Sequence, residues 1–186
     1  MRLLSVVLSG VLLVGLLLWG VGAIDVGLNR WPVKTFRDPD RSRVRIEPVD
    51  TTIAFLTRIP RPPDSAFHGR SRIAPAELSV YRVRGRLKRI LGGRDGDIHL
   101  VLSDPSDPSR TMIAEIPAPF LSLGSGLGRL FAAEREQVRG RPKSRGELVE
   151  VTGIGFFDYY APGSDSRQAR NGFELHPVLA LKFLGP

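Results

Sequence analysis

The chain has 186 residues, 42% of them hydrophobic, and a formal charge of +8 from 27 Lys and Arg against 19 Asp and Glu. That length suits one domain with an N-terminal addition, and the absence of cysteine excludes disulfide scaffolds, thiolate metal sites and cysteine nucleophiles. With 23 arginines against 4 lysines, an anionic partner such as a nucleic acid, a membrane surface or an acidic polysaccharide becomes a question for the rest of the chain.

Residues Leu3 to Ile24 form an apolar run of 22 residues, interrupted only by Ser5 and Ser9. The run follows Arg2 and ends in Val21-Gly22-Ala23, which is the plan of a secretory signal; it is also long enough to cross a bilayer as a helix. Either reading takes the chain from about Asp25 onward out of the cytoplasm. The protein is expected to be exported: periplasmic or extracellular if residues 1–24 are cleaved, anchored to the cytoplasmic membrane by residues 3–24 if they are not.

Residues 25–76 read as an arm. Asp38-Pro39-Asp40 marks a turn, and Val44-Arg45-Ile46 alternates like a strand. A short helix follows, with Asp50 or Thr51 as N-cap and Ile53, Ala54, Phe55 and Leu56 as its body, ending at Ile59-Pro60. Residues 60–76 form a loop. From Glu77 the period changes: residues 78–91 alternate apolar and polar, predicting a long half-buried strand with Gly85 near its middle. Further strands are predicted over 97–103, 111–116, 148–157 and 173–183, with one helical region inside 117–140. Strand, strand, strand, helix, strand, strand (β-β-β-α-β-β) is the chain order of the OB-fold, a five-stranded Greek-key barrel. The expected fold is therefore all-β, an OB-fold-like β-barrel over residues 77–186, with a short N-terminal helical extension (25–76) after the hydrophobic segment 1–24. Gly85 offers the long strand a place to bend. Another small β-barrel or a mixed α+β sheet would give the same string.

Four blocks occur in order: Asp97-x-His99-Leu100-Val101-Leu102, Met112-Ile113-Ala114-Glu115-Ile116-Pro117, Val151-Thr152-Gly153-Ile154-Gly155-Phe156-Phe157-Asp158 and Asn171-Gly172-x-Glu174-Leu175-His176-Pro177-Val178-Leu179. Together they resemble a family of small exported bacterial proteins of uncharacterised function, sometimes joined to other extracellular modules. The resemblance extends upstream to Val33-Lys34-Thr35 and the helix between Asp50 and Pro60. It implies a stable exported domain and no particular activity.

His99, Glu115 and His176 each interrupt an apolar run, and such groups are costly to bury unless paired, bound or working. With Ser103 facing Thr111 across the intervening loop, antiparallel pairing sets His99 opposite Glu115, about 4.5–5.5 Å apart at Cβ. A one-residue slip would separate them onto different faces. Glu174 and His176 share a face by period two, and the sequence leaves open whether His176 reaches His99. As a set, His99, Glu115 and His176 could bind a divalent metal with an open water position. Equally, they could be the catalytic acid–base groups of a hydrolase, one directed at phosphodiesters. The plain alternative is a satisfied His99–Glu115 pair with Glu174 and His176 bonded to backbone. No local signature such as H-E-x-x-H singles out the metal, so a divalent ion is admitted as cofactor and not required.

Arg82, Arg84, Arg86 and Lys88 share one face of the long strand and, with Glu174 and Asp158, complete the candidate ligand-binding residues. A row of four cations could follow a phosphate backbone, but no aromatic is interleaved with it. A solvated face that blocks edge pairing gives the same pattern. There is no P-loop, nucleophile elbow or dinucleotide fingerprint. The expected function is an envelope-associated binding or interaction module whose partner is an anionic ligand or envelope component. A metal-dependent hydrolase and a single-stranded nucleic-acid binder are the alternatives.

Overall fold

The computed structural model describes residues 30–93, 95–141, 146–159 and 169–185. The N-terminal apolar run lies outside the described residues. Among those described, no helix is long and apolar enough to cross a membrane.

Six strands carry the structure: β1 (Arg45–Thr51), β2 (Ser79–Gly92), β3 (Ile98–Ser103), β4 (Thr111–Ile116), β5 (Leu148–Phe157) and β6 (Phe173–Phe183). Their order is β1-β2-β3-β4-β6-β5, and β2 also pairs with β5, so β2 to β6 close into a five-stranded barrel. The closure depends on the length of β2. Its first half, Val80 to Arg86, lies antiparallel to β5, and its second half, from Arg86 to Gly92, lies antiparallel to β3. β4 and β6 pair in parallel, and a helix sits between the third and fourth barrel strands. This is the OB-fold.

Alternation in the sequence becomes inside and outside in the barrel. Tyr81, Val83, Gly85 and Leu87 of β2 are buried, while Arg84, Arg86 and Lys88 are exposed. Leu100, Leu102, Met112, Ala114, Ile116, Leu175 and their neighbours fill the interior. A fully buried side chain of this kind contributes about 1.5–3 kcal/mol. β2 exchanges β5 for β3 at Arg86, next to Gly85, and its register against β3 shifts between Leu87 and Arg89. Gly85 also serves packing: a Cβ there would lie 2.8 Å from Ile53 Cδ1 and 3.2 Å from Leu102 Cβ, so its absence lets the arm pack closely.

The described part of the arm includes a helical turn, α1 (residues 30–34), and a one-turn helix, α2 (Ile53–Leu56). The N-cap of α2 is Thr52, whose hydroxyl accepts from the Phe55 N–H at 3.1 Å. Asp50 and Thr51, expected as caps, instead finish β1, which runs parallel to β2 with those two residues opposite Arg82 and Val83. β1 is an edge strand and therefore tolerates Pro48, beside which its register shifts. The helical region between β4 and β5 divides into a 3-10 turn at Pro119–Ser122 and α3 (Gly128–Val138), whose Phe131 and Val138 reach the core.

One buried ion pair braces the arm internally and a second fastens it to the barrel. The Arg72 guanidinium grips Asp38 with two bonds, of 3.0 and 2.7 Å, and also donates to the carbonyls of Glu77 and Val33. Arg30 donates to Glu77, whose carboxylate also accepts from the backbone N–H groups of Ile73 (2.7 Å) and Phe157 (2.8 Å). Burial raises the Glu77 pKa above its ordinary value, with Arg30 pulling the other way.

Candidate functional site on the outer face of the barrel

On β3, β4 and β6 the inward positions are taken by Leu100, Ala114, Ile116 and Leu175, so His99, Glu115, Glu174 and His176 face outward. The hairpin register puts His99 opposite Glu115, as its loop length predicts. The parallel β4–β6 register supplies the step that the sequence leaves open. Ile113 pairs with Glu174, and advancing two residues along both strands brings Glu115 beside His176. All four side chains therefore meet on one patch.

Despite facing outward, the patch is covered. Lys34 of α1 reaches over it, with Nζ 3.9 Å from Glu115 Oε2, 3.6 Å from Asp158 Oδ1 and 5.5 Å from the centre of the Phe156 ring. Glu115 lies at the centre. Its Oε1 is 3.4 Å from His99 Nε2, and its Oε2 is 2.9 Å from His176 Nδ1. The other ring nitrogen of His176 lies 3.5 Å from Asp97 Oδ2, and Asp97 Oδ1 accepts from the Ala118 N–H at 2.7 Å. His176 is 0% exposed and Glu115 3%, whereas the His99 side chain keeps 27% of its surface.

At 2.9 Å the Glu115–His176 contact has hydrogen-bond length, and Glu174 also interacts with Glu115, but these approaches are poorly aligned. Asp97 Oδ2, His99 Nε2, Glu115 Oε2, Glu174 Oε2 and both ring nitrogens of His176 are buried without a properly aligned partner. Most buried polar atoms in folded proteins have one, so six such atoms in one patch require a physical reason. The electrostatics are equally uneven. Burial opposes the charge of Glu115, but His176, Lys34 and His99 outweigh it and hold that carboxyl well below the usual range. Glu174 goes the other way, raised well above its ordinary value by burial and by the Glu115 carboxylate. Asp97 is raised chiefly by burial, against the pull of His176. Burial favours the neutral amine of Lys34, yet Asp158, Glu115 and Glu174 together raise its pKa.

The sequence singles out His99, Glu115, Glu174, His176 and Asp158, and the structure brings these five together. Two members escape that reading. Asp97 stands just before β3, where period two from His99 is the one available hint, and Lys34 arrives from the arm. One donor atom each from Asp97, Glu115 and His176 lie within 4.8 Å of one another, a grouping in which Asp97 stands where His99 was expected.

The cationic row of β2 lies elsewhere, and each member has a partner. Arg82 bonds Asp50 at 3.2 Å and Arg84 bonds Glu150 at 3.1 Å. Arg86 and Lys88 donate to the carbonyls of Gly146 and Pro108. Arg82 and Arg84 border an open groove of about 490 Å³ whose walls also carry Asp50, Asp104 and Glu150, so its charge is mixed. Gly153 and Gly155 pack tightly: a Cβ on Gly155 would collide with the Ala76 carbonyl, and one on Gly153 would sit 2.9 Å from Leu175 Cβ.

No protein-family model matches the chain, and no curated protein matches it by sequence. Solved structures of similar fold include a protein assigned as an aspartyl-tRNA synthetase from Leishmania major Friedlin. It is 12% identical, with a TM-score of 0.44 over 77% of this chain and 22% of that one. The asparaginyl-tRNA synthetase of Entamoeba histolytica is 18% identical, with a TM-score of 0.38 over 60% of this chain and 22% of that one. The OBody AM3L09, bound to hen egg-white lysozyme, is 16% identical, with a TM-score of 0.37 over 59% of this chain and 85% of that one. The chain spans about a fifth of the length of either synthetase. Likeness at this level carries no functional argument, and the OB assignment rests on the strand order.

Proposed function

We propose that the protein is an exported, envelope-associated OB-fold module that binds a ligand without transforming it, and that the covered patch on β3, β4 and β6 is its ligand site. The observation that carries this reading is the set of six buried polar atoms beneath Lys34 that crowd one another without well-aligned hydrogen bonds. OB-folds commonly bind through the face formed by their second and third strands, which here are β3 and β4. Asp97, Glu115, Glu174 and Asp158 make the patch rich in carboxyl groups, which favours a cationic ligand over a polyanion. Burial of Glu115 and His176 speaks against hydrolysis, because a substrate reaches only the edge of His99. Export is supported by the apolar run of residues 3–24 and by the resemblance to small exported proteins.

The test uses the full chain in two assays. Retention on single-stranded DNA at low salt is expected to be weak and unchanged by Arg82→Glu with Arg84→Glu, and a chromogenic phosphodiester is expected to remain intact. Strong retention lost on that charge reversal would replace this reading with nucleic-acid binding. Turnover lost in His176→Gln would replace it with catalysis. Export itself is checked by fusing the first 29 residues to a reporter that is active only outside the cytoplasm; an inactive fusion would remove that part of the reading.

A further inference from the structure

We infer that the turn between β4 and α3 is a membrane-facing surface, where Phe120 and Leu123 enter the headgroup region of an anionic lipid bilayer. The inference rests on the reading of residues 3–24 as an envelope anchor and adds how the barrel meets that membrane. The polarity of the turn is inverted. Ser122 is 1% exposed and donates its hydroxyl to the Ala118 carbonyl at 3.2 Å, whereas Phe120 is 67% exposed and Leu123 74%. Pro119–Ser122 is a 3-10 turn, in which residues three apart stack on one side, and this sets Leu123, its C-cap, on the side of Phe120. The backbone that presents them is braced. The Ala118 N–H is bonded to Asp97 at 2.7 Å, the Ser125 N–H to the Ser122 carbonyl at 3.1 Å, and the Arg37 guanidinium to the Leu123 carbonyl at 3.0 Å. A pair of large apolar groups held out in water calls for a partner, where single scattered ones do not.

The chain itself indicates the occupant. Five residues, 25–29, separate the apolar run from Arg30, and that stretch spans at most about 20 Å. From α1 the turn is one arginine away: the Arg37 N–H bonds the Pro32 carbonyl at 2.7 Å, while its guanidinium holds Leu123. A bilayer that holds the run therefore lies within reach of Phe120 and Leu123 at an effective concentration of about millimolar, so a weak contact suffices. Charge agrees with that occupant. Arg37 otherwise bonds the Thr35 hydroxyl, and neither it nor the exposed Arg129 pairs with a carboxylate among the described residues. The first turn of α3 contains Arg129 and no acidic residue, and no side chain caps it, so its positive end is open to a phosphate headgroup. Asp95 adjoins Gly96, which the Phe120 ring approaches, and it lowers the local positive charge. The apolar pair therefore supplies most of the binding, and the arginines supply the preference for anionic lipid.

The chain has no cysteine, so a bimane label can be placed at one site at a time in the full chain, reconstituted into vesicles of phosphatidylcholine and phosphatidylglycerol. The quencher is phosphatidylcholine brominated near the carbonyl end of its acyl chains. Leu123→Cys replaces an exposed side chain and keeps the fold. Ser106→Cys is the reference, exposed in the β3–β4 loop at the far end of the hairpin, about 20 Å from the turn. Expected is quenching at Leu123→Cys about threefold or more above that at Ser106→Cys, since interfacial groups settle about 5–10 Å into the headgroup boundary. Adding Arg129→Glu to Leu123→Cys should lower quenching in these vesicles and leave it unchanged in phosphatidylcholine alone. The inference is overturned if the label at Leu123→Cys is quenched no more than that at Ser106→Cys while the chain floats with the vesicles, a result that leaves the anchor standing. A label there that is shielded from iodide yet untouched by brominated lipid would overturn it in favour of a second copy of the chain. A chain that does not float with vesicles at all overturns both the anchor and the inference.

Discussion

The lock formed by Arg72 and Asp38 in the arm and the patch formed by Asp97, Glu115 and His176 on the barrel are both buried charged clusters, but their hydrogen bonding is opposite. Both side chains of the lock are fully excluded from solvent, and the guanidinium forks onto the carboxylate while its remaining donors reach two backbone carbonyls. In the patch, Glu115 and His176 are as deeply buried, yet six polar atoms of the cluster lack a well-aligned partner. Desolvating an ion is repaid only by close, well-aligned partners. The lock meets that condition with groups of its own chain, and the patch does not. A cluster that serves only to hold the fold is expected to look like the first, and one that awaits something else to look like the second.

The comparison is most exposed at Arg72. Arg72→Met should cost about 3–5 kcal/mol in urea unfolding, because it strands Asp38 as a buried unpaired charge. A loss below about 1 kcal/mol would show that Asp38 finds water or another donor, and the lock would no longer be the satisfied member of the pair. The patch should respond in the opposite direction. Glu174→Gln keeps the shape but removes a carboxyl whose raised pKa costs the folded chain stability near neutral pH, so the protein should gain about 1 kcal/mol. If that change destabilises as much as Arg72→Met, the two clusters obey one rule and the contrast collapses.

How much of this could be read from the sequence follows from the range of each pairing. β5 and β6 were legible to the residue because apolar runs bounded by polar loops define them. The His99–Glu115 pair was legible because a short loop sets the hairpin register. Glu115 and His176 are different: β4 and β6 are far apart in the chain and parallel, and no turn residue encodes their register. Lys34 ends a single helical turn and the Asp38–Arg72 pair lies in irregular segments, so periodicity has little to act on. Asp97, one residue before β3, reads as a turn residue until the fold brings the Ala118 N–H to one of its oxygens and His176 to the other.

A finer test concerns the second ion pair, Arg30 with Glu77, and uses pH. Burial places the Glu77 pKa above its ordinary value of 4.5, with Arg30 only partly offsetting that shift. As pH rises past the ordinary value, the unfolded chain ionises Glu77 while the folded chain still holds the proton. Stability should therefore fall until the raised pKa is passed and then level. Glu77→Gln should flatten that slope in melts between about pH 4 and 7. A slope that persists in the variant would assign the pH dependence to other groups.

The smallest effect is expected where charges are neither locked nor stranded. Arg84 and Glu150 form a 3.1 Å bond on the outer face of β2 and β5, and the Arg84 side chain is 67% exposed. Water already solvates both members, so Arg84→Ala should cost less than about 1 kcal/mol, and that loss should shrink further in high salt. Urea unfolding at two salt concentrations measures it. A loss that is large and independent of salt would mean that the arginine stem covers apolar surface, and that the cationic row of β2 belongs to the packing of the barrel rather than to its solvated face.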